Sequence, residues 1–179
     1  MKYPIYIYGS PVLRKVAEKI TPEYPNLEKF IDDMFETLYG SEGVGLAAPQ
    51  VGKSINLFVV DASHYEEFDL GKRVFINAEI YERDGEEITE SEGCLSVPGI
   101  NEKVRRHDRI KIRYKDENFR QYDEEYSGYA ARIIQHEYDH IEGRMFVDHL
   151  SPLRKTLIAN KLSTIAKGKF STDYKSKQI

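Results

Sequence analysis

One cysteine in 179 residues leaves no partner for a disulfide within the chain. Nowhere does the sequence approach the ~18 consecutive apolar residues of a membrane-spanning helix, so no membrane partner is expected. The opening Met1-Lys2-Tyr3-Pro4 lacks the continuous apolar run of a secretory signal. With the lone thiol, that points to a reducing, cytoplasmic setting. There is no internal repeat and no low-complexity stretch. Acid is nearly missing from the C-terminal end. Residues 152–179 hold seven lysines or arginines against the single acid Asp173, a net of +6 that leaves −10 for 1–151 in a chain of overall charge −4. What is present is ordinary for a folded protein, with 40% hydrophobic and 12% aromatic residues and a length that suits one sizeable core.

The richest stretch runs from Ser127 to Gly143. Tyr129, Ala130, Ile133, Ile134 and Ile141 recur at helical spacing, and Gly143 is a natural stop. His136 and His140 share that stripe. Residues four apart on a helix have Cβ atoms roughly 5–6 Å apart, so both imidazoles reach one ion, as a His-Glu-x-x-His pattern requires. Glu137 sits one step round, beside the ion without being a ligand, where a general base is wanted. The alternative is a pair of histidines satisfied within a core.

Two histidines leave a catalytic ion short of the usual three protein ligands. Downstream, the astacin-like extension would need a histidine where Phe146 stands, and the thermolysin-like one a glutamate on a later helix, whereas only Asp148 and Asp173 follow Glu142. His149 remains open, past an expected turn. Upstream, Cys94 in Glu92-Gly93-Cys94-Leu95-Ser96 is the better candidate.

Elsewhere, Ser10-Pro11 predicts a short helix over Val12 to Ala17, and Leu27, Phe30, Ile31, Met34 and Leu38 a longer one ending at Gly40. Gly43 to Gln50 is rich in small residues. That permits close approach by a ligand or a strand, although a plain tight loop explains it equally. Residues 55–61 and 73–80 read as strands, Asp84-Gly85 as a hairpin turn, and the six acids between Glu82 and Glu92 as a solvated face. Val104, Ile110, Ile112 and Tyr114 alternate as in a half-exposed antiparallel strand, and 119–126 suggests another. Leu153, Leu157, Ile158, Leu162 and Ile165 predict a helix from Pro152 to about Lys167, followed by a polar, mobile end. The expected class is α+β: antiparallel β-sheets packed around a central metal-binding helix, with a C-terminal helix.

Gly43-Val44-Gly45-Leu46-Ala47-Ala48-Pro49-Gln50, Glu92-Gly93-Cys94-Leu95-Ser96 and Gln135-His136-Glu137-Tyr138-Asp139-His140 resemble, in order, the three motifs of the bacterial peptide deformylases. The resemblance implies a single catalytic domain over 1–151, with the C-terminal helix and basic tail at 152–179. It implies one divalent ion on Cys94, His136 and His140, Fe(II) in the cell, with zinc, nickel or cobalt able to replace it. It implies a substrate, the nascent formyl-Met polypeptide, deformylated by Glu137 as general acid–base. Gln50 and the Leu95 N–H would meet the charge on the formyl oxygen, and Val44 and Gly45 would border the substrate. Tyr129 and Ile133, seven and three residues before His136, share its face and would line the methionine pocket. Arg132 stands where the family more often has an aliphatic residue, so its stem lines that pocket or its charge points out at the mouth; Glu90 is similarly polar. The basic tail suggests either a solvated terminal helix or contact with ribosomal RNA. Two other classes stay open, a zinc metallopeptidase and a zinc-stabilised binding module without catalysis.

Overall fold

The computed structural model describes residues 3–179. Its elements in order are β1 (Ile5–Tyr6), α1 (Leu27–Tyr39), β2 (Gly45–Ala47), β3 (Leu57–Asp61), β4 (Lys72–Cys94), β5 (Val97–Lys115), β6 (Gln121–Ser127), α2 (Gly128–Ile141), α3 (Pro152–Ala166) and β7 (Ser176–Lys177). Strands β2 to β6 form a five-stranded antiparallel sheet in sequence order, while β1 and β7 pair in parallel as a separate ribbon. This is an α+β arrangement, as the pattern of strands before one long helix predicts.

Helix α2 packs against β2, β3, β5 and β6. Ala130, Ala131, Ile133, Ile134 and Ile141 join Phe58, Phe75, Ile110 and Ile112 in one apolar cluster. A second cluster, around Met34, Leu38, Leu46, Leu57, Val97, Val104 and Phe146, includes Ile158 and Ile165 of α3. At the end of α2 the chain turns through Gly143 at φ +72°, and a Cβ there would lie 2.7 Å from the Arg14 carbonyl oxygen, too close for any larger residue.

Three local expectations differ. The Ser10-Pro11 helix is only a 3₁₀ turn, Pro11–Arg14. Beyond it, Ala17 N–H donates to the Ile141 carbonyl (2.8 Å) and Glu18 bridges Ile55, so tertiary bonds draw the segment out straight. Asp84-Gly85 is not a hairpin turn but a bulge inside β4. Gly85 at φ +76° supplies the left-handed residue, and three steps from Asp84 to Glu87 face two from His107 to Arg109. The hairpin that joins β4 to β5 turns at Leu95-Ser96, with Cys94 paired to Val97. Finally, the polar end is tied down by β7, with Ile5 N–H donating to the Lys175 carbonyl (2.9 Å) and Ile7 N–H to that of Lys177 (3.1 Å).

Candidate metal centre and its cleft

Helix α2 sets His136 and His140 one turn apart, ring centroids 5.3 Å from each other. Cys94 closes β4 immediately before the Leu95-Ser96 turn, and its Sγ lies 3.3 Å from His140 Nε2. The ligand atoms of Cys94, His136 and His140 all fall within 4.8 Å of one another. His136 Nδ1 bonds Glu92 Oε1 at 2.9 Å, which leaves its Nε2 for the cluster. His149, the other possible ligand, is elsewhere, with its Nε2 on Asp139 Oδ2 at 2.7 Å.

Without an ion, the charges at this cluster form a thiolate–imidazolium pair, and a bound cation would take the place of the imidazolium proton. Burial pushes the Cys94 thiol up, but His140 and then His136 bring it down to about 5, so a thiolate is present at neutral pH. Burial also disfavours the His136 imidazolium, yet hydrogen bonds to Cys94 and Glu92 outweigh it and raise that pKa well above its ordinary value.

Glu137 is held differently. It is 4% exposed, and its Oε2 is buried with no hydrogen-bond partner among the described residues. Burial raises its pKa from 4.5 to about 7, opposed by His136 and His140 and assisted by Cys94 and Glu92. Across from it, Gly45 in edge strand β2 leaves the necessary room, because a Cβ there would overlap the Glu137 carboxylate. Gln50 is buried and oriented: its Oε1 accepts from Ala47 N–H at 2.9 Å, and its Nε2 points at Ser96 Oγ (3.2 Å) and Cys94 Sγ (3.5 Å). Leu95 caps the hairpin, and its carbonyl accepts from the Tyr174 hydroxyl at 2.6 Å.

These groups open onto a cleft of about 680 Å³, bordered by Val44, Gly45, Leu95, Tyr129, Ile133, His136 and Glu137. That size accommodates a few residues of peptide. Ile133 is buried at the wall, whereas Tyr129 is 48% exposed at the rim, stacked on Phe68 with centroids 5.0 Å apart. Arg132 borders the cleft, but its charge turns inward, neither lying at the mouth nor free. Nη1 donates to Glu92 Oε2 (2.5 Å) and the Val104 carbonyl (3.0 Å), Nη2 to the Ile88 carbonyl (2.8 Å).

Sequence reasoning missed the network behind the histidines. Glu92, read as one of six solvated acids, is buried and gripped by Arg106 through Nε (2.7 Å) and Nη2 (2.9 Å). Arg106 Nη1 continues to Asp139 Oδ2 at 2.9 Å. Burial would raise the Glu92 pKa, but His136 and Arg106 hold it far below the carboxylate range. The available signal was position: Glu92 opens the Glu-Gly-Cys motif, two residues before Cys94. Nothing local marks the other omission, the segment Ser171 to Tyr174, which also borders the cleft.

A sequence profile of the polypeptide deformylases matches residues 2–156. The chain is 50% identical over 186 residues to a peptide deformylase of Christiangramia forsetii, covering 98% of this chain and 95% of that one. It is also 50% identical over 190 residues to a peptide deformylase of Flavobacterium psychrophilum, covering 100% and 98%. Among solved structures, the peptide deformylase of Thermus thermophilus superposes with a TM-score of 0.84 at 38% identity, over 94% of this chain and 98% of that one. That of Thermotoga maritima superposes with a TM-score of 0.78 at 45% identity, over 85% and 99%.

Proposed function

The chain belongs to the polypeptide deformylase family, and on that premise we propose that Cys94, His136 and His140 hold the ion while Glu137, Gln50 and the Leu95 N–H act on the formyl group. It is a metal-dependent hydrolase that removes the N-formyl group from the terminal formyl-methionine of nascent polypeptides and releases formate.

The donor set fits the ion. One thiolate and two imidazoles, within 4.8 Å of one another, make the three-ligand site that leaves a position open for chemistry. We propose Fe(II) as the native ion; zinc, nickel or cobalt would be accepted by the same donors, since ligand softness alone does not separate them. When bound, the ion lowers the pKa of water and polarises the formyl carbonyl.

The remaining steps fall to the chain. Glu137 takes a proton from the attacking water at its unpartnered Oε2 and returns it to the leaving amine, which asks for a carboxyl that titrates near neutrality. Gln50 Nε2 and the Leu95 N–H donate to the charge that grows on the formyl oxygen. Donors of this kind contribute roughly 3–4 kcal/mol each when they meet the transition state in a dry site. Val44, Gly45, Tyr129 and Ile133 receive the methionine side chain and exclude water. The ion's ligands and the groups that act on the formyl group all lie within 1–151, and 152–179 is laid against that unit, with Ser171 to Tyr174 bordering the cleft.

The observation that carries this reading is the convergence of Cys94, His136 and His140 beside a buried carboxylate with one oxygen unpartnered. The test is formate release from a formyl-Met tripeptide by the anaerobically prepared protein and by Glu137→Gln. The variant should keep its metal and lose roughly 10²–10⁴ in turnover. Near-normal turnover would refute the role of Glu137, and cleavage of unformylated casein would restore the peptidase reading.

The setting we propose is the cytoplasm, with the basic tail resting on ribosomal RNA. Lys167, Lys169, Lys175 and Lys177 are exposed and support contact, whereas Arg154 is engaged by Glu102 at 2.6 Å. Affinity for purified ribosomes should fall with salt by a log–log slope of about 0.7–0.9 per phosphate contact. Salt-independent binding would remove the proposal.

A further inference from the structure

Beyond Lys169 the polar tail carries two aromatic residues, Phe170 and Tyr174, and both, like Cys94 and Leu95, pack against the apolar cluster that includes Val97 and Ile100. Hydrogen bonds fix the segment at its end. Gln178 Nε2 donates to the Tyr8 carbonyl (3.2 Å) and to the Ala166 carbonyl (2.9 Å), next to the β1–β7 ribbon. The chain terminus is therefore a strap whose course is set on both sides.

That strap closes on the hairpin turn. The Tyr174 hydroxyl donates to the Leu95 carbonyl at 2.6 Å, while the Tyr8 N–H, beside β1, donates to the Ser96 carbonyl at 2.7 Å. Ser96 Oγ meets Gln50 Nε2 at 3.2 Å. Both carbonyls of the turn are thus held from the ribbon side, and its one hydroxyl from the cleft side. Ser96 has further anchors; the Leu95 carbonyl has only Tyr174 among the described residues. A turn of two residues has few dihedrals, so holding the carbonyl of Leu95 constrains where its N–H points. Ser171 and Thr172, on the way to Tyr174, border the same cleft.

We propose that Tyr174 is a positioning residue for deformylation: through the Leu95 carbonyl it aims the Leu95 N–H at the formyl oxygen, making the C-terminal strap part of the active site. The inference rests on the reading of Leu95 as a transition-state donor. A donor misaimed by a fraction of an ångström loses strength where charge develops and little in the ground state, so the effect belongs in kcat.

Tyr174→Phe keeps the ring and its packing and removes only the donor. Steady-state deformylation of a formyl-Met tripeptide, with metal content and melting temperature measured on the same samples, should show kcat reduced about three- to tenfold, the rate equivalent of one neutral hydrogen bond. KM should stay within about twofold and the metal content should be unchanged. A chain ended after Lys169, which lacks the strap, should lose at least as much. Unchanged kcat in Tyr174→Phe overturns the inference. So does a rise in KM alone, which would make the strap a passive wall, and so does a fall in melting temperature without a change in kcat. Glu137→Gln run in parallel separates the two readings: if it is active, the catalytic scheme fails, whereas a normal Tyr174→Phe beside an inactive Glu137→Gln counts against Tyr174 alone.

Discussion

Glu137 should weaken the fold it serves. Its carboxyl has a pKa of about 7 in the folded chain against an ordinary 4.5, chiefly because burial removes water from the charged form. An acid whose folded pKa is raised binds its proton more tightly when folded. Its burial therefore costs nothing below about pH 4.5, where both states are protonated, and the cost grows as pH rises to about 7. Above that it levels off at about 3 kcal/mol, taking 1.36 kcal/mol for each pH unit between the two values. Glu137→Gln has no charge to bury and escapes that cost. In metal-stripped protein the variant should therefore melt higher than the wild type at pH 8, by roughly 6–12 °C for a chain of this length. At pH 5 the difference should be small. The assay is thermal unfolding of both proteins, chelated, across pH 5 to 8, followed by far-ultraviolet dichroism. A difference in melting temperature that is the same at both ends of that range would refute the argument, because it would show that the carboxylate charge carries no cost. Restoring the ion should narrow the gap at pH 8, since a cation nearby favours the charged carboxylate.

Metal binding at pH 7 should release more than one proton, one from His136, which is protonated beside the Cys94 thiolate in the metal-free chain, and part of one from Glu137, whose carboxyl titrates at about 7 until a cation favours its charged form; titration calorimetry in buffers of different ionisation heat measures this, and zero release would contradict it. Gly45→Ala should fold and keep metal yet lose at least tenfold in kcat, since the new methyl occupies the space of the Glu137 carboxylate; normal kcat would show that the carboxylate has another place to sit. Arg106→Met should destabilise the protein by roughly 3–5 kcal/mol at pH 7 by leaving Glu92 and Asp139 buried with fewer partners. That loss should shrink as pH falls below about 4. Both carboxyls have lowered folded pKa values, so the stability they carry is present above their unfolded values and disappears on acidification. Urea unfolding at pH 7 and at about pH 3, inside that window, settles the sign, and an equal loss at both would contradict it.

How much of this was legible beforehand depends on the range of the interaction. Helix α2 was legible because its face, its stop at Gly143 and the spacing of His136 and His140 lie within one short window, where helical period alone orders the side chains. Asp84-Gly85 was not, because a left-handed glycine serves a hairpin turn and a bulge equally; pairing with His107 and Arg109 decides between them. Six acids between Glu82 and Glu92 have one composition but two fates. Glu90 and Glu92 stand two apart on β4, where the strand's own alternation does not tell them apart. Half-buried Glu90 and buried Glu92 differ in what crosses to meet them, and Arg106 from β5 and His136 from α2 both reach Glu92.

The tail carries that reasoning furthest. Its charge predicts a solvated end, and the lysines are exposed as that prediction requires. Yet between Lys169 and Lys175 the same segment turns Tyr174 onto Leu95, a contact across 79 positions of sequence that no local pattern announces. Alternation reconciles the two. An extended strap of this kind presents one set of side chains to water and the other to the protein, so the segment is free to be basic outside while its inner face holds the turn that carries Leu95. Substituting the exposed lysines should therefore alter salt-dependent association and leave kcat untouched, whereas Tyr174→Phe should do the reverse.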